Sequence, residues 1–124
     1  MRQARLYASH SLEVHKQVGC VIANHSDVLS YGWNENLNNL PGFNSRGTGR
    51  AIHAEEAAIL KTVNLKAVSL LNSSLFSTRA PCWVCAKMIV QVGIKEVFYL
   101  FPHDDEEEGI NLLKLSGITV LKVA

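Results

Sequence analysis

Three residues of this chain can ligate a soft divalent metal, and a fourth can move protons beside it. His53 offers an imidazole, Cys82 and Cys85 offer two thiolates, and Glu55 offers a carboxylate two residues after the imidazole. Three protein ligands leave one tetrahedral position of a zinc ion (Zn2+) open for water, the arrangement of a catalytic rather than a closed structural site. A carboxylate not needed as a ligand then serves as base and acid. The chemistry implied is metal-assisted hydrolysis. A structural zinc site would usually supply a fourth Cys or His, and the only other cysteine, Cys20, has no partner spacing.

Cys-x-x-Cys alone is weak evidence, because redox motifs and structural zinc sites share it. Here Pro81 precedes the pair, and His-x-Glu lies 29 residues upstream. That combination resembles the signature of the zinc-dependent nucleobase deaminases, H-x-E…P-C-x-x-C. In such chemistry Glu55 accepts a proton from water, passes it to the ring nitrogen and then protonates the leaving amine. One carboxylate in both roles must face metal and ring at once.

Composition sets the frame. The chain of 124 residues suits a single domain over 1–124, and 48% hydrophobic with 19% charged residues is normal for one buried core. No apolar run reaches the length of a membrane span. The stretch from Met1 to His10 lacks the apolar segment of a secretory signal. A formal net charge of +1 gives no argument for extensive nucleic-acid binding. Two of three cysteines lie in a ligand motif, which argues against a disulfide framework and for a reducing, cytoplasmic compartment.

The elements that must position these residues follow from periodicity. Met1 to about His10 reads as a short helix with Ala4, Tyr7 and Ala8 on one side. Gln17 to Ala23 is nearly continuously apolar, as expected of a strand buried on both faces. Asn24 to Asp27 is a turn, and Val28 to Trp33 returns as the second strand of a hairpin. Asn34 to Arg50, with Pro41, Gly42, Gly47 and Gly49, reads as a long loop ahead of His53. Strong helix formers follow His53, acidic residues first and Lys61 late, which suits the helix dipole. Ser74 to Thr78 is a strand. Pro81 stands where the next helix begins, with Cys82, Cys85, Ala86, Ile89 and Val90 on one face. Gly93 stops it. Val97 to Phe101 is a strand, Asp104 to Ser116 a helix and Ile118 to Val123 the last strand. Strands joined by helices pair in parallel through right-handed crossovers. The fold expected is a three-layer α/β/α sandwich. Its mixed five-stranded sheet has an antiparallel first hairpin and parallel last strands.

The chain resembles the deoxycytidylate (dCMP) deaminases within the zinc-dependent cytidine/deoxycytidylate deaminase superfamily. The likeness covers most of its length: Val18-Gly19-Cys20-Val21-Ile22, Gly32-Trp33-Asn34, His53-Ala54-Glu55, Ala80-Pro81-Cys82-Trp83-Val84-Cys85-Ala86-Lys87, Gly93-Ile94-Lys95-Glu96-Val97 and Gly117-Ile118. It implies zinc on His53, Cys82 and Cys85, with Glu55 as proton shuttle. It also implies a sugar contact from Asn34 and a contact of the Ala54 backbone N–H with the pyrimidine carbonyl. A homo-oligomer, commonly a hexamer, and a dCTP or dTTP effector are implied as well. The expected activity turns dCMP into dUMP. The rivals are a deaminase of cytidine, deoxycytidine, another aminated ring or a tRNA or single-stranded DNA base, and an inactive zinc-binding interaction protein.

Two positions depart from the family pattern. Glu35 stands where the family usually has Gly, and Ala57 where it usually has Asn. A carboxylate at 35 would repel a phosphate unless turned away. Arg46, Arg50, Lys16 and Arg79 are candidate phosphate contacts, each with an ordinary surface charge as the competing reading. Trp33 and Trp83 are candidate pocket walls, with core packing as the alternative. His10, His15, His25 and His103 read as solvated or capping residues.

Overall fold

The computed structural model describes residues 1–11, 17–35, 52–64, 68–103 and 106–123. Among the described residues, four helices and five strands follow one another. They are α1 (Arg2–Ala8), β1 (Gly19–Ala23), β2 (Val28–Trp33), α2 (Ala54–Asn64), β3 (Ser74–Arg79), α3 (Trp83–Gln91), β4 (Glu96–Phe101), α4 (Glu106–Leu115) and β5 (Thr119–Lys122). The sheet order is β2-β1-β3-β4-β5. β1 is antiparallel to both β2 and β3, whereas β3, β4 and β5 are parallel. This is the mixed sheet expected from the alternation of apolar runs and helical segments.

Two glycines set which helix covers which face. A Cβ on Gly19 would meet the backbone of Ala4 and Ala8, so α1 lies against that face of β1. A Cβ on Gly32 would meet Ala54 O and Ala58 N, each at 2.7 Å, so α2 lies against the opposite face. α3 contacts both α2 and α4, which extends that second layer along the sheet. Between it and the strands sits the apolar core, including Cys20, Ile22, Ala58, Leu75, Ala86, Ile89, Val97 and Leu113. β1 is buried along nearly its whole length, as its unbroken apolar run requires.

Local chemistry explains the ends of these elements. Asn24 Oδ1 accepts the backbone N–H groups of Ser26 (3.0 Å) and Asp27 (2.8 Å) and so closes the turn of the hairpin. Gly93 takes φ +84° just past α3, where a side chain would be strained. Pro81 is not the first residue of α3. Cys82 is the N-cap, in extended conformation, and the helix starts at Trp83. Proline here ends the β3–α3 connection, one residue before the cap.

Gly109 lies inside α4, where glycine costs helix stability. Packing accounts for it: a Cβ there would fall 2.1 Å from Pro81 O and 2.9 Å from the carbonyl carbon of Cys82. Only a bare Cα lets α4 sit this close to the start of α3. No helix among the described residues is long and apolar enough to cross a membrane.

Candidate active site

The parallel relationship of β2, β3 and β4 brings their carboxyl ends to one edge of the sheet, where α2 and α3 begin. Ligands of open α/β sheets bind at this edge. A cleft there encloses about 430 Å³, counting its open mouth. Its lining comprises Val18, Asn34, His53, Ala54, Glu55, Arg79, Ala80, Cys82 and His103.

His53, Cys82 and Cys85 converge at one side of this cleft. Their ligating atoms all lie within 4.8 Å of one another. His53 Nδ1 is 3.3 Å from Cys85 Sγ and 3.5 Å from Cys82 Sγ. Bond lengths of about 2.05 Å to nitrogen and about 2.3 Å to sulfur, at tetrahedral angles, require roughly 3.6 Å between such atoms. The donor set therefore fits a zinc ion with little movement.

The three ligands divide their protons unequally. The Cys82 thiol is held down to about 3, chiefly because the Cys85 S–H donates to its sulfur and further because His53 bonds to it. Cys85 is raised, because it keeps the proton it shares with Cys82. His53 is raised to about 9 by its bond to the Cys82 thiolate. The cluster thus holds protons on His53 and Cys85 that metal binding must displace, beside a Cys82 thiolate.

Helix starts orient the ligands. Cys82 caps α3 and its carbonyl accepts the Ala86 N–H (2.8 Å), which sets Cys85 in the first turn beside it. Glu56 Oε1 accepts the backbone N–H of His53, three residues earlier, at 2.9 Å. This is half of a capping box and fixes the entry to α2. Sequence reasoning passed over Glu56, although Glu three residues after a helix start is a recognisable signal.

Glu55 lines the cleft from the first turn of α2 and is only 5% exposed. Burial pushes its carboxyl up to about 7. A group that titrates near neutrality can both take and give a proton there. Ala54, the first residue of α2, carries one of the helix's orphan N–H donors and also lines the cleft.

Asn34 is anchored from two sides. Val18 N–H donates to its Oδ1 (2.8 Å), Asn34 N–H donates to Val18 O (3.2 Å), and Ser11 Oγ–H donates to Asn34 O (2.7 Å). These bonds hold the amide in place, with its oxygen facing the chain.

Other expected residues are elsewhere. Trp33 does not line the cleft. Its ring packs on the α1 face, centroid 5.0 Å from His10 and 6.1 Å from Tyr7, because side chains alternate along a strand and Gly32 faces α2. Trp83 is 46% exposed with Lys87 Nζ 4.4 Å over its ring, also outside the cleft. Arg46, Arg50, Lys16 and His15 fall outside the described residues. Glu35, bridged to Ile52, is not in the lining, and its charge acts on Lys61. Ala57 faces Gly32 at the α2–β2 contact. Both departures from the family pattern thus lie outside the cleft wall. Arg79 and His103, by contrast, are in that wall. His103 was read from sequence as a solvated or capping residue, and its signal was position just beyond the end of a parallel strand.

Comparison with known proteins agrees with this geometry. The family model described as the cytidine and deoxycytidylate deaminase zinc-binding region matches residues 1–101. A deoxycytidylate deaminase of Saccharomyces cerevisiae is 33% identical over 133 residues, covering 97% of this chain, which spans 42% of the yeast protein. The deoxycytidylate deaminase of Mus musculus is also 33% identical, over 138 residues covering 98% of this chain and 76% of its own. The crystal structure of a dCMP deaminase from cyanophage S-TIM5, in complex with dCMP and dUMP, superposes with a TM-score of 0.89. It has 28% identity and covers 98% of this chain and 92% of its own.

Proposed function

The chain belongs to the cytidine and deoxycytidylate deaminase zinc-binding family, and on that premise we propose that it hydrolyses the exocyclic amine of dCMP, giving dUMP and ammonia. The observation that carries this reading is the meeting of a three-donor metal set with a buried carboxylate in one cleft. His53, Cys82 and Cys85 hold zinc. When bound, zinc supplies an acidified water, a nucleophile near neutral pH.

The chain's own groups do the rest. Glu55 takes one proton of the attacking water and delivers it to the ring nitrogen, then takes the second from the new hydroxyl on the ring carbon and gives it to the amine, which departs as ammonia while the carbonyl forms. Its burial keeps it close to the pH at which both transfers run. The Ala54 N–H donates to the pyrimidine carbonyl, and Asn34 Nδ2 donates to a sugar oxygen. The buried walls around Glu55 exclude bulk water from the transfer.

The rest of the proposal follows the family. Residues 1–124 act as one domain in a reducing cytoplasm, where free Cys82 and Cys85 persist. Exposed apolar side chains, among them Val63, Trp83 and Val84, support self-association into a homo-oligomer such as a hexamer. A deoxynucleoside triphosphate effector is part of the same reading.

Ultraviolet-monitored turnover of zinc-loaded protein on dCMP, CMP, deoxycytidine, cytidine and dCTP tests it. Preference for dCMP is expected. Turnover of nucleosides without monophosphates would leave the family intact and end the dCMP assignment. No turnover of any of the five would end the deaminase reading.

A further inference from the structure

We infer that Glu56 is a positioning residue of the metal site: its side chain holds the backbone of His53 so that the imidazole meets the cysteines already aimed, and zinc affinity depends on that hold. The inference rests on the zinc reading of His53, Cys82 and Cys85 and extends it to a residue outside the ligand set.

His53 stands immediately before α2, and its carbonyl accepts the first helical bond, from the Ala57 N–H at 2.9 Å. It therefore occupies the N-cap position. A good N-cap residue turns a side-chain oxygen to the orphan N–H groups of the first turn. The His53 ring turns elsewhere. Its Nδ1 faces the Cys85 sulfur at 3.3 Å and the Cys82 sulfur at 3.5 Å. The ligand role has taken the ring away from the cap.

Glu56 supplies what the ring does not. Its Oε1 reaches back three residues and accepts the His53 backbone N–H at 2.9 Å. The amide and the carbonyl of His53 are thus both tied to the first turn of α2, the amide by a side chain and the carbonyl by the main chain. With the backbone held, two staggered side-chain torsions remain to place the imidazole. The same carboxylate oxygen lies 3.9 Å from His53 Nδ1, beyond hydrogen-bond length. Glu56 grips the main chain and leaves the ring nitrogen to the metal.

The two cysteines are held differently. The Cys82 carbonyl accepts the Ala86 N–H as α3 begins, and Cys85 is buried inside that helix. The His53 side chain is 37% exposed, so packing restrains it less. Freedom at a ligand must be removed when the ion binds, which weakens binding. Partners that orient a metal ligand typically change affinity about 10- to 100-fold.

The test compares wild type with Glu56→Ala, Glu56→Gln and Val63→Gly, all kept reduced. Zinc Kd is measured by competition with a chromophoric chelator at pH 7.5, and the visible spectrum of the cobalt(II)-loaded protein reports ligand geometry. Circular dichroism of the metal-free proteins records the fold. Gln keeps an oxygen for the His53 N–H without the charge. Val63→Gly weakens α2 at an exposed position away from His53. Glu56→Ala should weaken zinc about 10- to 100-fold and alter the cobalt bands. Glu56→Gln and Val63→Gly should stay within about threefold of wild type with its spectrum. Zinc affinity and cobalt bands unchanged in Glu56→Ala would overturn the inference. So would a loss in Glu56→Gln as large as in Glu56→Ala, which would make charge the cause, or an equal loss in Val63→Gly, which would make helix stability the cause. Each of these leaves the zinc reading in place. Wild type that takes up no zinc would overturn both.

Discussion

Replacing Glu55 by Gln separates the carboxylate's proposed chemical role from its structural cost. The side chain is 5% exposed, and burial lifts its carboxyl from 4.5 to about 7. In the unfolded chain it titrates at the ordinary value. Between pH 4.5 and 7 the folded chain therefore binds more protons than the unfolded one, and stability falls as pH rises through this window. The gap of about 2.5 units corresponds to roughly 3 kcal/mol once both states are ionised. Gln keeps the shape and has no charge to desolvate. Metal-free Glu55→Gln, kept reduced, should match wild type near pH 4 in urea denaturation and exceed it by up to about 3 kcal/mol at pH 8. Zinc beside an ionised Glu55 should narrow that gap, since the cation favours the charged form. The zinc-loaded variant should keep its metal and lose about 10²- to 10⁴-fold in turnover. A stability difference that is the same at pH 5 and pH 8 would refute the desolvation argument. Turnover within tenfold of wild type would refute the role assigned to Glu55.

Three further outcomes are expected. Asn34→Asp keeps an oxygen for the Val18 N–H and should fold normally with a raised KM, whereas Asn34→Ala leaves that N–H without its side-chain acceptor and should cost about 1–3 kcal/mol in denaturation. Zinc held against a fixed chelator at pH 7.5 should be released at pH 5, because His53 and Cys85 must be deprotonated to ligate; retention independent of pH, read with a chromophoric chelator, would contradict this. Gly109→Ala should lower stability by about 1–3 kcal/mol and weaken zinc retention despite the better helix former, since the methyl meets Pro81 O and Cys82; a more stable variant with full zinc would show that α4 yields freely.

What could be read from sequence was local. The ligand set follows from residue types at short spacing, and β2 from a six-residue run between turn signals. The parallel strands follow from the helices between them. What could not be read depends on long-range pairing. Arg79 and His103 share a wall only because β3 and β4 pair with Arg79 opposite Phe101. Trp33 adjoins Asn34 in sequence, yet strand alternation sends its ring to the other face. Glu35 and Ala57 drew attention as departures from a pattern, but sequence does not show that neither borders the cleft. Gly109 reads as a weak point of a helix until its neighbour across the packing interface is known.

The position of β3 has a consequence for assembly. It is the central strand, antiparallel to β1 and parallel to β4, and it separates His53 from Cys82 along the chain. The imidazole comes before it and both thiolates after it, so the donors meet only when β3 has joined β1 and carried α3 to the start of α2. No contiguous stretch that omits this strand owns a complete metal set. Zinc affinity therefore registers the state of the whole sheet. Metal binding should slow amide exchange in β1 and β4 as well as in the ligand turns, and capture of the ion belongs to the last stage of folding rather than to its nucleus.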